Sequence, residues 1–190
     1  MQHNYQDLIQ LFNQTFKETY NTVLVKGGDE PIYLPANKDC PFNQVIFAHG
    51  FYASAFHEIA HWCQAGKERR KLEDFGYWYV PDGRDESQQK KFEQVEVYPQ
   101  AIEWGFNVAA KRKFTVSSDN LNGFQADTEG FKEKVYQQVL VFLAHGFPPR
   151  AQQFIEVLAE FYGTSLPLTK DMFAYQAKPE AYKESYCESV

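Results

Sequence analysis

The hydrophobic pattern of this chain predicts an α+β fold, a small sheet packed with several helices. Three observations carry that prediction. Several segments repeat apolar residues at helical spacing, and short apolar runs of strand length are bounded by glycine or proline. The third is a segment, YASAFHEIAHWCQA, that is apolar on nearly every side and therefore belongs at the centre of the molecule. The 190 residues are 44% hydrophobic, with 12 tyrosines and 17 phenylalanines, enough for one real core and far from a disordered composition. A single domain over residues 1–177 with a polar tail at 178–190 is the simplest division.

Tyr5 to Tyr20 places Leu8, Ile9, Leu11, Phe12 and Phe16 at helical spacing and reads as a first amphipathic helix. A short strand over Thr22 to Val25 follows, punctuated by Gly27 and Gly28. Pro31 to Pro35 is extended, and its flanking prolines suit the edge of a sheet. Val45 to Ala48 reads as a buried strand feeding a helix from Tyr52 to Ala65, which Gly66 ends. Phe75 to Val80 (FGYWYV) is a strand candidate closed by a turn at Pro81-Asp82-Gly83. Ser87 to Ala110 has a helical pattern but contains Pro99, which disfavours an α conformation at Tyr98, so two helices or one broken helix are expected there. A short extended piece at Phe114 to Val116 leads into a polar loop, and two further helices cover Glu129 to Ala144 and Pro149 to Tyr162. There is no internal repeat.

The net charge of −6 argues against binding nucleic acid through a generally basic surface, and no direct nucleic-acid contact is expected. The basic runs at 67–71 (KERRK) and 111–113 (KRK) read as solvated faces; the alternative is a docking surface for an acidic partner beside the central helix. Cys40, Cys63 and Cys187 form no metal-binding or disulfide pattern. The polar N-terminus lacks a signal peptide, and no apolar run is long enough to span a bilayer. A cytoplasmic protein with no membrane association is the expectation.

Within the central helix, His57-Glu58-Ile59-Ala60-His61 sets two histidines four residues apart on one face, so both imidazoles can converge on one divalent ion. Two core histidines satisfied by hydrogen bonds is the plainer reading, but burying both on one face is costly without a shared purpose. A large protease class continues this motif as HExxHxxGxxH; Gln64 and Lys67 occupy those later positions here and exclude it. A third ligand must come from elsewhere. Glu96 lies between Val95 and Val97, an apolar setting that only a positive partner makes affordable for a carboxylate. Glu93 and Glu103 fit solvent-facing or ion-paired positions better. His49, where the strand enters the helix, is a candidate to support the ligands from behind, with a local structural role the equal alternative. Two imidazoles and one carboxylate suit both an Fe(II) oxygenase and a zinc hydrolase. A zinc-dependent metallopeptidase using Glu58 as its base is therefore the alternative reading.

The wider strings narrow this choice. FAHGFYASA from Phe47, then HEIAHWC, then DFGYWYVPDGRD from Asp74, then FEQVEVYPQA from Phe92 closely resemble the elongation factor P hydroxylase family, with similarity from Tyr5 through Tyr162. The resemblance implies a non-haem iron enzyme that uses dioxygen to hydroxylate the β-lysylated lysine of elongation factor P. It also implies metal ligands at His57, His61 and Glu96, and a fold similar to a small metal-dependent bacterial ribonuclease. On that reading Glu58 orients a bound water, a ligand or the substrate ammonium. A substrate side chain rich in amino groups calls for acidic and aromatic surface, and Tyr77, Trp78, Tyr79, Asp82 and Asp85 are the candidates, with cation–π contacts of roughly 0.5–2 kcal/mol each.

Overall fold

The computed structural model describes residues 3–74, 82–118, 120, 122–125 and 127–175. The chain starts with α1 (Tyr5–Tyr20), whose first turn is capped by the Asn4 side chain accepting from the Gln6 amide. Leu8, Phe12 and Phe16, one turn apart, are its fully buried stripe. Asn21 adopts a left-handed conformation (φ 49°) that turns the chain directly into β1 (Thr22–Lys26). From the adjoining helix, the Asn13 side chain accepts the Leu24 amide, so α1 and β1 are joined by polar as well as apolar contact.

β2 (Ile32–Leu34) and β3 (Asn43–Phe47) complete a mixed sheet in the order β1-β3-β2. β3 runs parallel to β1, with Thr22 opposite Asn43 and Lys26 opposite Phe47, and antiparallel to β2, with Ile32 opposite Ile46. The proline-flanked strand is an edge, as its sequence requires, and a single bridge from Tyr33 to Asp74 extends it. β3 turns sharply into α2 (Tyr52–Gln64) through His49 and Gly50, both at positive φ. Glycine is needed at the second position, where a Cβ would also press on the Tyr5 ring and the Lys26 stem at 3.2 Å.

α2 is the hub. Tyr52, Ala55, Phe56, Ile59, Ala60, Trp62 and Cys63 are buried, and the helix touches the sheet, α1, α3 and α5. Its carboxyl end is closed by Arg150 from α5 (Pro149–Tyr162), which donates to the Cys63 and Ala65 carbonyls at 2.9 and 2.6 Å and lies over the Trp62 ring.

The long segment after the turn at Asp82-Gly83 is one helix, α3 (Glu86–Ala109), with Pro99 inside it. This corrects the expected break at Val97-Tyr98-Pro99. An interior proline costs about 3 kcal/mol through one lost hydrogen bond and crowding of the carbonyl four residues back. Phe92, Ala101, Ile102, Trp104 and Phe106 are all buried along this helix as it packs between α2, α4 (Thr128–His145) and α5. Burial of the large side chains among them, at roughly 1.5–3 kcal/mol each, together exceeds that cost. The 114–116 stretch is irregular rather than a strand, but it carries Phe114 and Val116 into the core, where Phe114 stacks on Trp104. The strand expected at 75–80 and the polar tail lie outside the described residues. Among the described residues no helix is long and apolar enough to cross a membrane.

Candidate metal centre

Helices α2 and α3 pack side by side and bring three side chains together. His57 and His61 project from successive turns of α2, with their Nε2 atoms 3.0 Å apart and their rings inclined at 73°. Glu96, from the first half of α3, places Oε1 3.3 Å from His61 Nε2 and Oε2 3.6 Å from His57 Nε2. Among the described residues this is the group of three or more histidine, cysteine or acidic side chains placed to share one ion. The separations fit that use: donor atoms about 2.1 Å from a common ion lie about 3.0 Å apart at a right angle and about 3.4 Å apart at a tetrahedral one.

The electrostatics favour a cation in the same place. Glu96 is completely buried, and an ionised carboxylate there is expensive without a positive partner. Burial opposes charge on His57, but the Glu103 hydrogen bond and the Glu96, Glu103 and Glu58 carboxylates outweigh it and push its pKa up to about 10. Burial likewise raises the Glu58 carboxyl, with His57 and His61 opposing and Glu96 and Glu103 reinforcing the shift. Three carboxylates around two imidazoles leave an excess of negative charge, which a divalent ion would neutralise.

Two supporting side chains were not singled out from sequence. Gln100, one turn after Glu96, donates to Glu96 Oε2 at 3.3 Å, and its amide also grips both the N–H and the carbonyl of Ser117. That ties the loop after α3 to Glu96. Glu103, expected at the surface or in an ion pair, is ion-paired and only 8% exposed, with Oε2 3.1 Å from His57 Nδ1. Glu93 does form an ion pair, with Lys134 at 3.0 Å, although it too is largely buried. Glu58 lines a small, partly open cavity together with Tyr33, His61, Trp62, Arg69 and Arg70.

Other candidates have local work. His49 is half exposed, 3.5 Å from Asp29 and packed on Phe51, contacts that suit the local structural alternative. Asp82 accepts from the Gly83 amide and from the Asn122 amide and side chain, holding two loops together. Asp85 is the N-cap of α3 in a reciprocal capping box with Gln88. Asp85→Ala should therefore lower stability by about 1 kcal/mol, as N-cap losses do. Thermal melts and turnover on the same sample check this: a substrate-binding carboxylate would instead raise KM with the melting temperature unchanged. Tyr77, Trp78 and Tyr79 lie outside the described residues. The basic run is largely neutralised in place, Arg69 pairing with Asp74, Lys71 with Glu68, and Arg70 lying over Tyr20. Lys67 and Lys71 are exposed, whereas Arg69 and Arg70 are part-buried and turn to the cavity that Glu58 lines.

Comparison with known proteins places this architecture. The sequence model of the elongation factor P hydroxylase family matches residues 11–173. The elongation factor P lysine hydroxylase of Haemophilus influenzae is 58% identical over 164 residues, covering 86% of this chain and 92% of that protein. The match spans both helices of the metal centre and nearly all of the core, and on it this chain belongs to the elongation factor P hydroxylase family.

Proposed function

We propose that this chain hydroxylates the β-lysylated lysine of elongation factor P, with Fe(II) held by His57, His61 and Glu96 and dioxygen as the oxidant. The observation that carries the reading is the convergence of these three side chains in a chain so similar to a lysine hydroxylase. Two neutral imidazoles and one carboxylate leave a divalent ion with net charge +1 and three octahedral positions open, the donor set of non-haem iron oxygenases. Iron bound there would supply the activation of dioxygen. Inserting one oxygen atom into a C–H bond while the other leaves as water consumes two electrons beyond those of the substrate, so the reaction also needs a reductant.

The protein's own part is to bind and position. Glu96 is held in line by Gln100. Glu58 lines the same cavity as His61, where it orients a water or the ammonium of the substrate. Tyr77, Trp78 and Tyr79 supply cation–π surface to the amino groups of the substrate. The partner is the modified translation factor, bound without direct nucleic-acid contact, and the setting is the cytoplasm.

The test is iron-loaded protein incubated aerobically with β-lysylated elongation factor P and ascorbate as reductant. The substrate should gain the mass of one oxygen atom; His57→Ala and His61→Ala proteins should give no gain. The Glu58 carboxylate beside His61 is also the feature a zinc peptidase would use as general base, and Glu58→Gln separates the readings. Under the hydroxylase reading the variant keeps its metal and neither it nor the parent cleaves peptides. Peptide cleavage by the zinc-loaded parent, abolished in Glu58→Gln, would overturn it.

A further inference from the structure

Resting on the metal-centre reading above, we infer that Glu103 is a positioning residue: it holds His57 through Nδ1 so that Nε2 alone is presented to the ion. Neutral imidazole carries its proton on either nitrogen, and only the unprotonated one can donate a lone pair to a metal. An ionised carboxylate accepts hydrogen bonds and cannot donate them, so Glu103 Oε2, 3.1 Å from His57 Nδ1, requires the proton on Nδ1. The opposite nitrogen then faces His61 Nε2 at 3.0 Å and Glu96 Oε2 at 3.6 Å, the position a ligand must occupy.

The geometry of α3 makes this contact durable. Glu96 and Glu103 are seven residues apart, two turns of one continuous helix, so ligand and positioning group share a face. The Asn107 side chain donates to the Glu103 carbonyl at 2.9 Å, fixing the turn from which the carboxylate projects. Among the described residues, the polar partner of that carboxylate is His57. A carboxylate only 8% exposed and spent on one imidazole costs stability unless it orients that ring. It also makes the imidazole a stronger donor, because its negative charge compensates the electron density given up at Nε2.

The test uses Co(II) as a spectroscopic probe on the metal-free full chain, comparing wild type, Glu103→Gln and Glu103→Ala. Chelator competition should show Glu103→Ala binding Co(II) roughly 10–100-fold more weakly, the usual effect of losing such a partner. Glu103→Gln, whose amide oxygen still accepts from Nδ1–H, should keep most of the affinity. Proton NMR of the Co(II) form gives a second readout that a merely structural role would not move. The shifted Nδ1–H signal of His57 should persist in water for wild type and Glu103→Gln, and be lost to exchange in Glu103→Ala. Unchanged affinity and an unchanged Nδ1–H signal in Glu103→Ala, even with a lowered melting temperature, would overturn the inference while leaving the metal centre intact. Failure of wild type to take up one Co(II) per chain would overturn the metal centre itself.

Discussion

Replacing Glu96 by alanine should remove iron and hydroxylation together. The carboxylate is completely buried and within 3.6 Å of both imidazoles, and among the described residues it is the one carboxylate grouped with both histidines closely enough to share an ion. Apparent metal-binding free energies of about 10–16 kcal/mol, shared among three or four ligands, put the loss at roughly 3 kcal/mol or more. That is over a hundredfold in affinity, since each 1.4 kcal/mol is about tenfold. The metal-free variant should also melt lower than the metal-free parent, because without an ion Glu96 pairs with His57 and His61 and its truncation breaks that buried pair, although Gln100 keeps its bonds to Ser117. Metal analysis of the purified variant, paired with a melt, checks both halves. Full iron occupancy in Glu96→Ala would show that the third ligand lies elsewhere.

Phe154→Ala should give the largest loss of stability. Its ring is fully buried where α5 meets α1 and α3, with ring centroids 5.8 Å from Phe12, 5.9 Å from Phe16 and 5.4 Å from Phe106. Helices on three sides cannot collapse into the space, so the truncation leaves a cavity and costs about 3–5 kcal/mol. At roughly 2–4 °C per kcal/mol for a domain of this size, the melting temperature should fall by about 10 °C. Below the melt, Co(II) affinity should match the parent, because Phe154 touches none of the ligands. A loss under about 1 kcal/mol in urea unfolding would mean that the three-helix junction repacks freely.

The boundaries of α1, α4 and α5 were legible because each carries a clean apolar stripe and its own stop signal, such as Gly163 at positive φ after α5. The edge strand was legible from its two prolines, and the residue types and settings of His57, His61 and Glu96 pointed to the three side chains that the fold brings together. The misreading of Pro99 had a consequence beyond secondary structure. A break at Tyr98 would put Glu96 and Glu103 on different helices and erase the seven-residue phase between them. The unbroken α3 restores that phase and brings Glu103 to His57. Local propensity disfavours the proline; burial on three sides overrides it, and burial is not written in the window around residue 99. Asp85 carries a signal of its own: its Asp-x-x-Gln signature with Gln88 is a visible capping box, and the structure forms it. Arg150, which closes the end of α2 from 85 residues away, had no local signal at all.

The most direct measurement is mass spectrometry of β-lysylated elongation factor P after incubation with iron-loaded protein, reductant and isotopically heavy dioxygen. The account predicts one heavy oxygen atom incorporated into the modified lysine, dependent on His57, His61 and Glu96. Substrate of unchanged mass with iron occupancy verified, or oxygen drawn from water instead of dioxygen, would contradict it.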